Sequence, residues 1–288
     1  MLPSAFSAVS FFIEVLDMSK LKKALEKAKE ARGTGGSPFF AIGPHVGKEG
    51  KERHEVNVNY SNTKTVDINH SIFRKNKIFS LFQESEASDQ INVLRTQVLN
   101  RLKEIGGNSL LVTSAHPGEG KTFTSINLGI SISQELDRTV LLVDTDLRNP
   151  ALHHYDFASD FFGVKITEGL SSYLLGEVEI PDLLLNPGID KLTILPGGRP
   201  LPNSAELLGS SRMEKLVIEM KNRYRGDRII IFDTPALLTC TDPLVFSHLI
   251  DGILLVVEVE RTSPGDIKRM MELLKDKPVI GTVLNKAK

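Results

Sequence analysis

Past its first hundred residues, the chain alternates two hydrophobic patterns. Short unbroken apolar runs occur at Ser109–Thr113, Val140–Asp144, Leu192–Leu195, Ile229–Asp233, Gly252–Val257 and Val279–Leu284. Runs of that length, apolar at nearly every position, predict strands covered on both faces. Between them, apolar residues recur at helical spacing and predict helices over Lys121–Leu136, Arg212–Tyr224, Pro243–Leu249 and Pro264–Leu274. The last has its own start signals, Ser263 as the cap and Pro264 in the first turn, with Ile267, Met270, Met271 and Leu274 facing inward. Ahead of the first run, Ile91, Leu94, Val98 and Leu102 mark one more amphipathic helix, so order is expected to begin near Glu86. Strands and helices in alternation predict an α/β fold, a mainly parallel sheet with helices on both faces.

Upstream the pattern fades. Ser19–Arg32 reads as a short helix with Leu21, Leu25 and Ala28 on one side, and Gly33–Val66 is rich in Gly, Pro, Ser and Asn. The expected plan is an N-terminal helical arm over 1–32, a flexible linker over 33–80 and one α/β domain over 81–288. From Met18 to Lys77 there are thirteen Lys and Arg against six Asp and Glu, the charge of a solvated arm or of one that docks on an acidic partner or membrane surface. Residues 1–17 lack a basic leader and carry Glu14 and Asp17, which makes a poor signal peptide. They are read either as native or as a misassigned start upstream of Met18.

Composition narrows the function classes. A net charge of −1 gives no reason to expect nucleic-acid binding, and no apolar run approaches the roughly 18 residues of a membrane-spanning helix. Cys240 is the one cysteine, which excludes an intrachain disulfide or a multi-cysteine metal site. The expected location is cytoplasmic. Cys240 itself reads as a small buried hydrophobe, and His153–His154, with no acidic or cysteine cluster beside them, as surface or loop histidines.

The candidate chemistry begins at the end of the first apolar run. Ser109 to Thr122 reads SLLVTSAHPGEGKT, a buried strand running into a Gly-rich turn that opens a helix at Lys121. Such a loop curls backbone N–H groups around phosphate oxygens. The helix N-terminus adds positive potential, the lysine reaches the β- and γ-phosphates, and the Thr122 hydroxyl can ligate Mg²⁺. The nucleotide-binding residues are expected to be Pro117, Gly118, Glu119, Gly120, Lys121, Thr122 and Phe123. Ala115 stands where the usual pattern begins with glycine. Two more strands end in acids. Asp144 and Asp146, two apart, share a strand face if the strand persists, one suited to holding Mg²⁺ and the other to taking a proton. Arg148 is available to a phosphate or a neighbouring carboxylate. The run IIIFDTP ends in Asp233, the Walker B form that supports Mg²⁺. Thr122, Asp144 and Asp233 are thus the expected metal residues, and Lys121, Asp144, Asp146 and Arg148 the expected catalytic ones.

PGEGKT at 117–122, DTDLR at 144–148 and FDTP at 232–235 resemble the Walker A, A′ and B motifs of bacterial tyrosine kinases, in particular the stand-alone autokinases of exopolysaccharide loci. The resemblance continues through GLSSYLLG at 169–176, LPGGRPLPNSAELL at 195–208 and GTVLN at 281–285, and covers roughly Met18 to the C-terminus. It implies a P-loop fold, MgATP as substrate, and tyrosine autophosphorylation that regulates exopolysaccharide synthesis or export. It also implies an activating cytoplasmic tail from a membrane-embedded polysaccharide co-polymerase, recruitment by that partner to the inner membrane face, and a homo-oligomer. By the same resemblance Asp146 is the base for the tyrosine hydroxyl and Asn285 reads the adenine edge, although Asn285 equally suits a turn closing the last strand.

Three features depart from the family. The chain has no tyrosine-rich tail, its tyrosines being Tyr60, Tyr155, Tyr173 and Tyr224. The ring-forming E-x-x-R-x-x-R motif is reduced to Asp89 through Arg95. His116 stands where partition and division ATPases carry a second lysine. The tail and the ring motif keep open a nucleotide-binding regulatory module without kinase activity, while His116 and the DTDLR run favour the kinase over the other alternative, a P-loop ATPase that positions partners.

Overall fold

The computed structural model describes residues 10–12, 64–65, 76, 78–81, 86–148, 167–223 and 227–286. The expected helix over Ser19–Arg32, most of the linker, His153, His154, Tyr60, Tyr155 and Tyr224 lie outside them.

Nine strands form one sheet: β1 (Ser10–Phe12), β2 (Lys64–Thr65), β3 (Ser109–Ser114), β4 (Thr139–Asp144), β5 (Leu185–Asn186), β6 (Leu192–Leu195), β7 (Arg228–Asp233), β8 (Gly252–Glu258) and β9 (Val279–Asn285). Their spatial order is β1-β9-β8-β3-β7-β4-β6-β5-β2. The six from β9 to β6 pair in parallel, and antiparallel pairing appears at β1–β9 and β5–β6. All six predicted strands are present, each within two residues of its expected ends.

Successive strand residues point to opposite faces, and both faces are covered. On one side Leu110, Val112, Val140, Leu142, Ile229 and Ile231 pack with helices α1 (Glu86–Glu104) and α2 (Lys121–Ser133). On the other, Leu111, Leu141, Val143, Ile230 and Phe232 pack with Met213, Leu216 and Val217 of α6 (Ser211–Arg223) and Ile267 and Met270 of α8 (Pro264–Leu273). Phe232 meets Phe246 edge-on at 5.0 Å between ring centroids. Phe246 closes α7 (Asp242–Phe246), so the helix expected over Pro243–Leu249 is broken, with a 3₁₀ turn at Ser247–Leu249. Short helices α3 (Leu170–Leu174), α4 (Ile180–Leu183) and α5 (Ser204–Leu208) were not foreseen, because four or five residues are too few to show a helical period.

Residues 78–81 pack on the same core. Ile78, fully buried, joins its α1–α2 side. Ser80 Oγ donates to the Asn127 carbonyl at 2.7 Å, Gln134 Nε2 donates to the Ser80 carbonyl at 2.6 Å, and Phe79 stands edge-on to Phe123 at 6.1 Å. Residues 78–81 are therefore strapped along α2 by apolar, aromatic and hydrogen-bonding contacts together. Arg95 ties α1 to the end of α2 by pairing with Glu135 at 2.9 Å and donating to the Ser131 carbonyl at 3.0 Å.

No helix among the described residues is long and apolar enough to cross a membrane.

Candidate active site

The strands that carry the three motifs are neighbours. β7 lies between β3 and β4, and Asp144 and Asp233 are directly paired across β4 and β7. All three strands therefore end on the same edge of the sheet, beyond whose carboxyl ends ligands bind in open α/β folds.

Between β3 and α2 the loop turns on Gly118 (φ 83°) and Gly120 (φ 98°), backbone conformations that favour glycine. Ala115 is fully buried beneath it, so a methyl group is accommodated at the position where the pattern has glycine. Pro117 is half-buried and Phe123 sits against Phe79. The Glu119 side chain points into the protein: it is fully buried, one oxygen accepting the His116 N–H at 2.8 Å and the other the Thr262 hydroxyl at 2.5 Å. Its side chain is thus engaged within the protein, and its share in phosphate binding would come from the backbone.

Lys121 opens α2 almost fully buried, with Nζ 3.9 Å from Asp146 Oδ2. One turn on, Ser125 Oγ donates to Asp233 Oδ1 at 3.1 Å, and the Thr122 side chain also hydrogen-bonds to Asp233. Burial pushes the Asp233 carboxyl from 3.8 up to about 6, with Lys121 and the two hydroxyls pulling the other way and Asp146 adding to the rise. A carboxylate held this unfavourably in a dry pocket is improved by any added cation. Asp144 Oδ1 accepts the Asp146 N–H at 2.9 Å, so the two acids form a short turn at the strand end rather than continuing the strand. The Pro196–Gly198 turn closes on Asp144: a Cβ at Gly197 would lie 2.9 Å from its Oδ2.

Lys121, Thr122, Asp144, Asp146 and Asp233 are therefore gathered at one place. Arg148 is not among them. Its Nε donates to Asp242 Oδ1 at 2.9 Å, and Asp242, fully buried, also accepts from Ser204 Oγ. Of the two roles expected for Arg148, it takes the carboxylate. Asn285 ends β9 directly behind the loop, 4% exposed, with Nδ2 donating to the Glu119 carbonyl at 2.8 Å. Burial, with nearby Asp242 adding to it, pushes the Cys240 thiol up to about 12, unsuited to a nucleophile near neutral pH.

Sequence reading missed Ser125, Thr262 and Asp242. Ser125 was within reach, since it lies four residues after Lys121 on the same helix face. Thr262 and Asp242 belong to no motif, and only the folded chain brings them near.

The fold and this constellation define a P-loop nucleotide-binding domain, and residues 110–288 match the CbiA family, described as the CobQ/CobB/MinD/ParA nucleotide binding domain. The tyrosine-protein kinase YwqD of Bacillus subtilis is 31% identical over 218 residues, 75% of this chain and 87% of that protein. Among solved structures, the kinase domain of the Escherichia coli tyrosine kinase ETK superposes with a TM-score of 0.65 at 28% identity, covering 72% of this chain and 79% of that one. The chimerical protein CapA2B2 gives 0.64 at 27% identity, over 77% and 92%. The chain belongs to the bacterial tyrosine-protein kinase family.

Proposed function

We propose that the chain transfers the γ-phosphoryl group of ATP to tyrosine, as a kinase serving exopolysaccharide synthesis or export. The observation that supports this best is the convergence of Lys121, Asp146 and Asp233 at the mouth of the Gly-rich loop. Backbone N–H groups from Pro117 to Phe123 would hold the triphosphate, and Lys121 would neutralise charge on the β- and γ-phosphates. Thr122, Asp144 and Asp233 would hold Mg²⁺, which supplies further neutralisation of the developing phosphate charge. No group of three His, Cys, Asp or Glu among the described residues suits a metal by itself. This agrees with an ion that takes one or two carboxylates, a hydroxyl and the substrate's phosphates. Asp146, with the Lys121 ammonium 3.9 Å from its carboxylate, takes the proton from the attacking tyrosine hydroxyl. Arg148 acts at one remove, fixing the DTDLR turn to Asp242.

The catalytic domain in this reading is 81–288, and the basic arm before it docks on the partner. That partner is a membrane-embedded polysaccharide co-polymerase whose cytoplasmic tail activates the kinase. Arg95, the arginine kept from the ring motif, is engaged with Glu135 and Ser131 of its own chain.

The test is incubation with MgATP, with and without the partner's tail, followed by phosphotyrosine detection and phosphate-release assay. Phosphotyrosine on this chain or on the partner supports the kinase. Phosphate release alone turns the assignment into a partner-positioning ATPase, and nucleotide binding with neither leaves a regulatory module.

A further inference from the structure

Both polar ends of the Asn285 amide are used inside the protein. Nδ2 donates to the Glu119 carbonyl at 2.8 Å, and Oδ1 accepts the Lys286 N–H at 2.9 Å. The amide fills the space beside the loop so tightly that a Cβ at Gly120 would lie 1.9 Å from Nδ2. From the other side, Thr262 Oγ1 donates to the Glu119 carboxylate at 2.5 Å while accepting the Glu258 N–H at 2.9 Å. Glu119 is thereby gripped by main chain and side chain at once, from the ends of β9 and β8. It lies between the two left-handed glycines, at the point where the loop has most freedom to rearrange.

We infer that Asn285 and Thr262 are positioning residues that hold the Glu119–Gly120 peptide in its phosphate-binding orientation. The peptide is planar and trans, so fixing the Glu119 carbonyl toward Asn285 sends the Gly120 N–H the opposite way. Without the grip, part of the binding energy of the triphosphate is spent on ordering the loop. The inference rests on the nucleotide-binding reading above, and it separates two roles for Asn285. A base reader governs the choice between ATP and GTP, whereas a brace governs affinity for the phosphates whatever they are attached to.

The experiment is calorimetric titration of the full chain with MgATP, MgGTP and inorganic tripolyphosphate with magnesium. Asn285→Ala and Thr262→Val are expected to weaken binding of tripolyphosphate as well as of both nucleotides, by about tenfold, 1.4 kcal/mol, and Thr262→Val to leave the ATP-to-GTP ratio as in wild type. Asn285→Asp, which sets a carboxylate against the Glu119 carbonyl, should be no better than Asn285→Ala, and Thr262→Ser should restore binding. A shift in the ATP-to-GTP ratio with tripolyphosphate unaffected overturns the brace and makes Asn285 the base reader. Unchanged affinity for all three in both Asn285→Ala and near-isosteric Thr262→Val overturns it as well. Failure of the wild type to bind any of them is a different result, which removes the nucleotide reading itself.

Discussion

Asp233 shows how one buried carboxyl links stability, pH and ligand. Its folded-state value of about 6 stands above the ordinary 3.8, so the native state binds this proton more tightly than the unfolded chain does. Stability of the metal- and nucleotide-free protein therefore falls as pH rises from about 4 to 6 and levels off above that, by on the order of 3 kcal/mol from this group. Asp233→Asn should raise the thermal midpoint at pH 7.5, with the gain fading as pH falls from about 6 to 4 and absent below that; a scan across that range checks it. Lys121→Met should keep the fold and lose at least about a hundredfold in turnover, since it removes a charge aimed at the phosphates. Wild-type turnover in that variant would sink the site. Asp146→Asn should bind ATP normally yet give no phosphotyrosine; equal loss of binding would make it a metal residue. These positions were legible in the sequence because each belongs to a short motif that follows or ends a strand. Thr262 and Asp242 were not, because their meaning comes from partners 143 and 94 positions away.

At the scale of elements, the sequence showed strands best. Full burial makes an apolar run unmistakable, and β6 matched its expected limits at both ends. Helix ends were harder: α2 stops at Ser133 although apolar spacing runs on to Leu136, which is exposed. α8 was read correctly from Ser263, whose hydroxyl accepts the Asp266 N–H at 3.1 Å while Asp266 answers at the Ser263 N–H at 3.0 Å. Ser263→Ala should cost about 1 kcal/mol of stability in urea unfolding. Asp266 also lies 3.4 Å from His116 Nε2, so a change in ATP affinity alongside that loss would show that the cap supports the loop. The strap at Ile78–Leu81 escaped notice because Ser80 and Asn127 recognise each other through hydrogen bonds, which leave no period in the sequence.

For the whole molecule, the class of fold followed from alternation alone, and the strand order did not. Nothing local says that β7 enters between β3 and β4; that arrangement comes from packing and from the handedness of crossovers. The few tyrosines of this sequence raise the matter of the acceptor. Tyr173, the one tyrosine among the described residues, is half-buried beneath the Arg212 guanidinium, 4.4 Å from the ring centroid. Its hydroxyl is poorly placed to enter a neighbour's active site, so Tyr173→Phe should leave phosphotyrosine levels unchanged. Mass spectrometry should instead find phosphate on Tyr60, Tyr155, Tyr224 or the partner. A phosphopeptide containing Tyr173 would refute this.

The central place of β7 governs how the protein is made. A growing chain that has emerged only as far as Arg223 already contains the Gly-rich turn and the DTDLR strand, yet it lacks the slat that fits between them and carries Asp233. A ligand that needs the Gly-rich turn and Asp233 together therefore has its complete site only once β7 has been made and inserted.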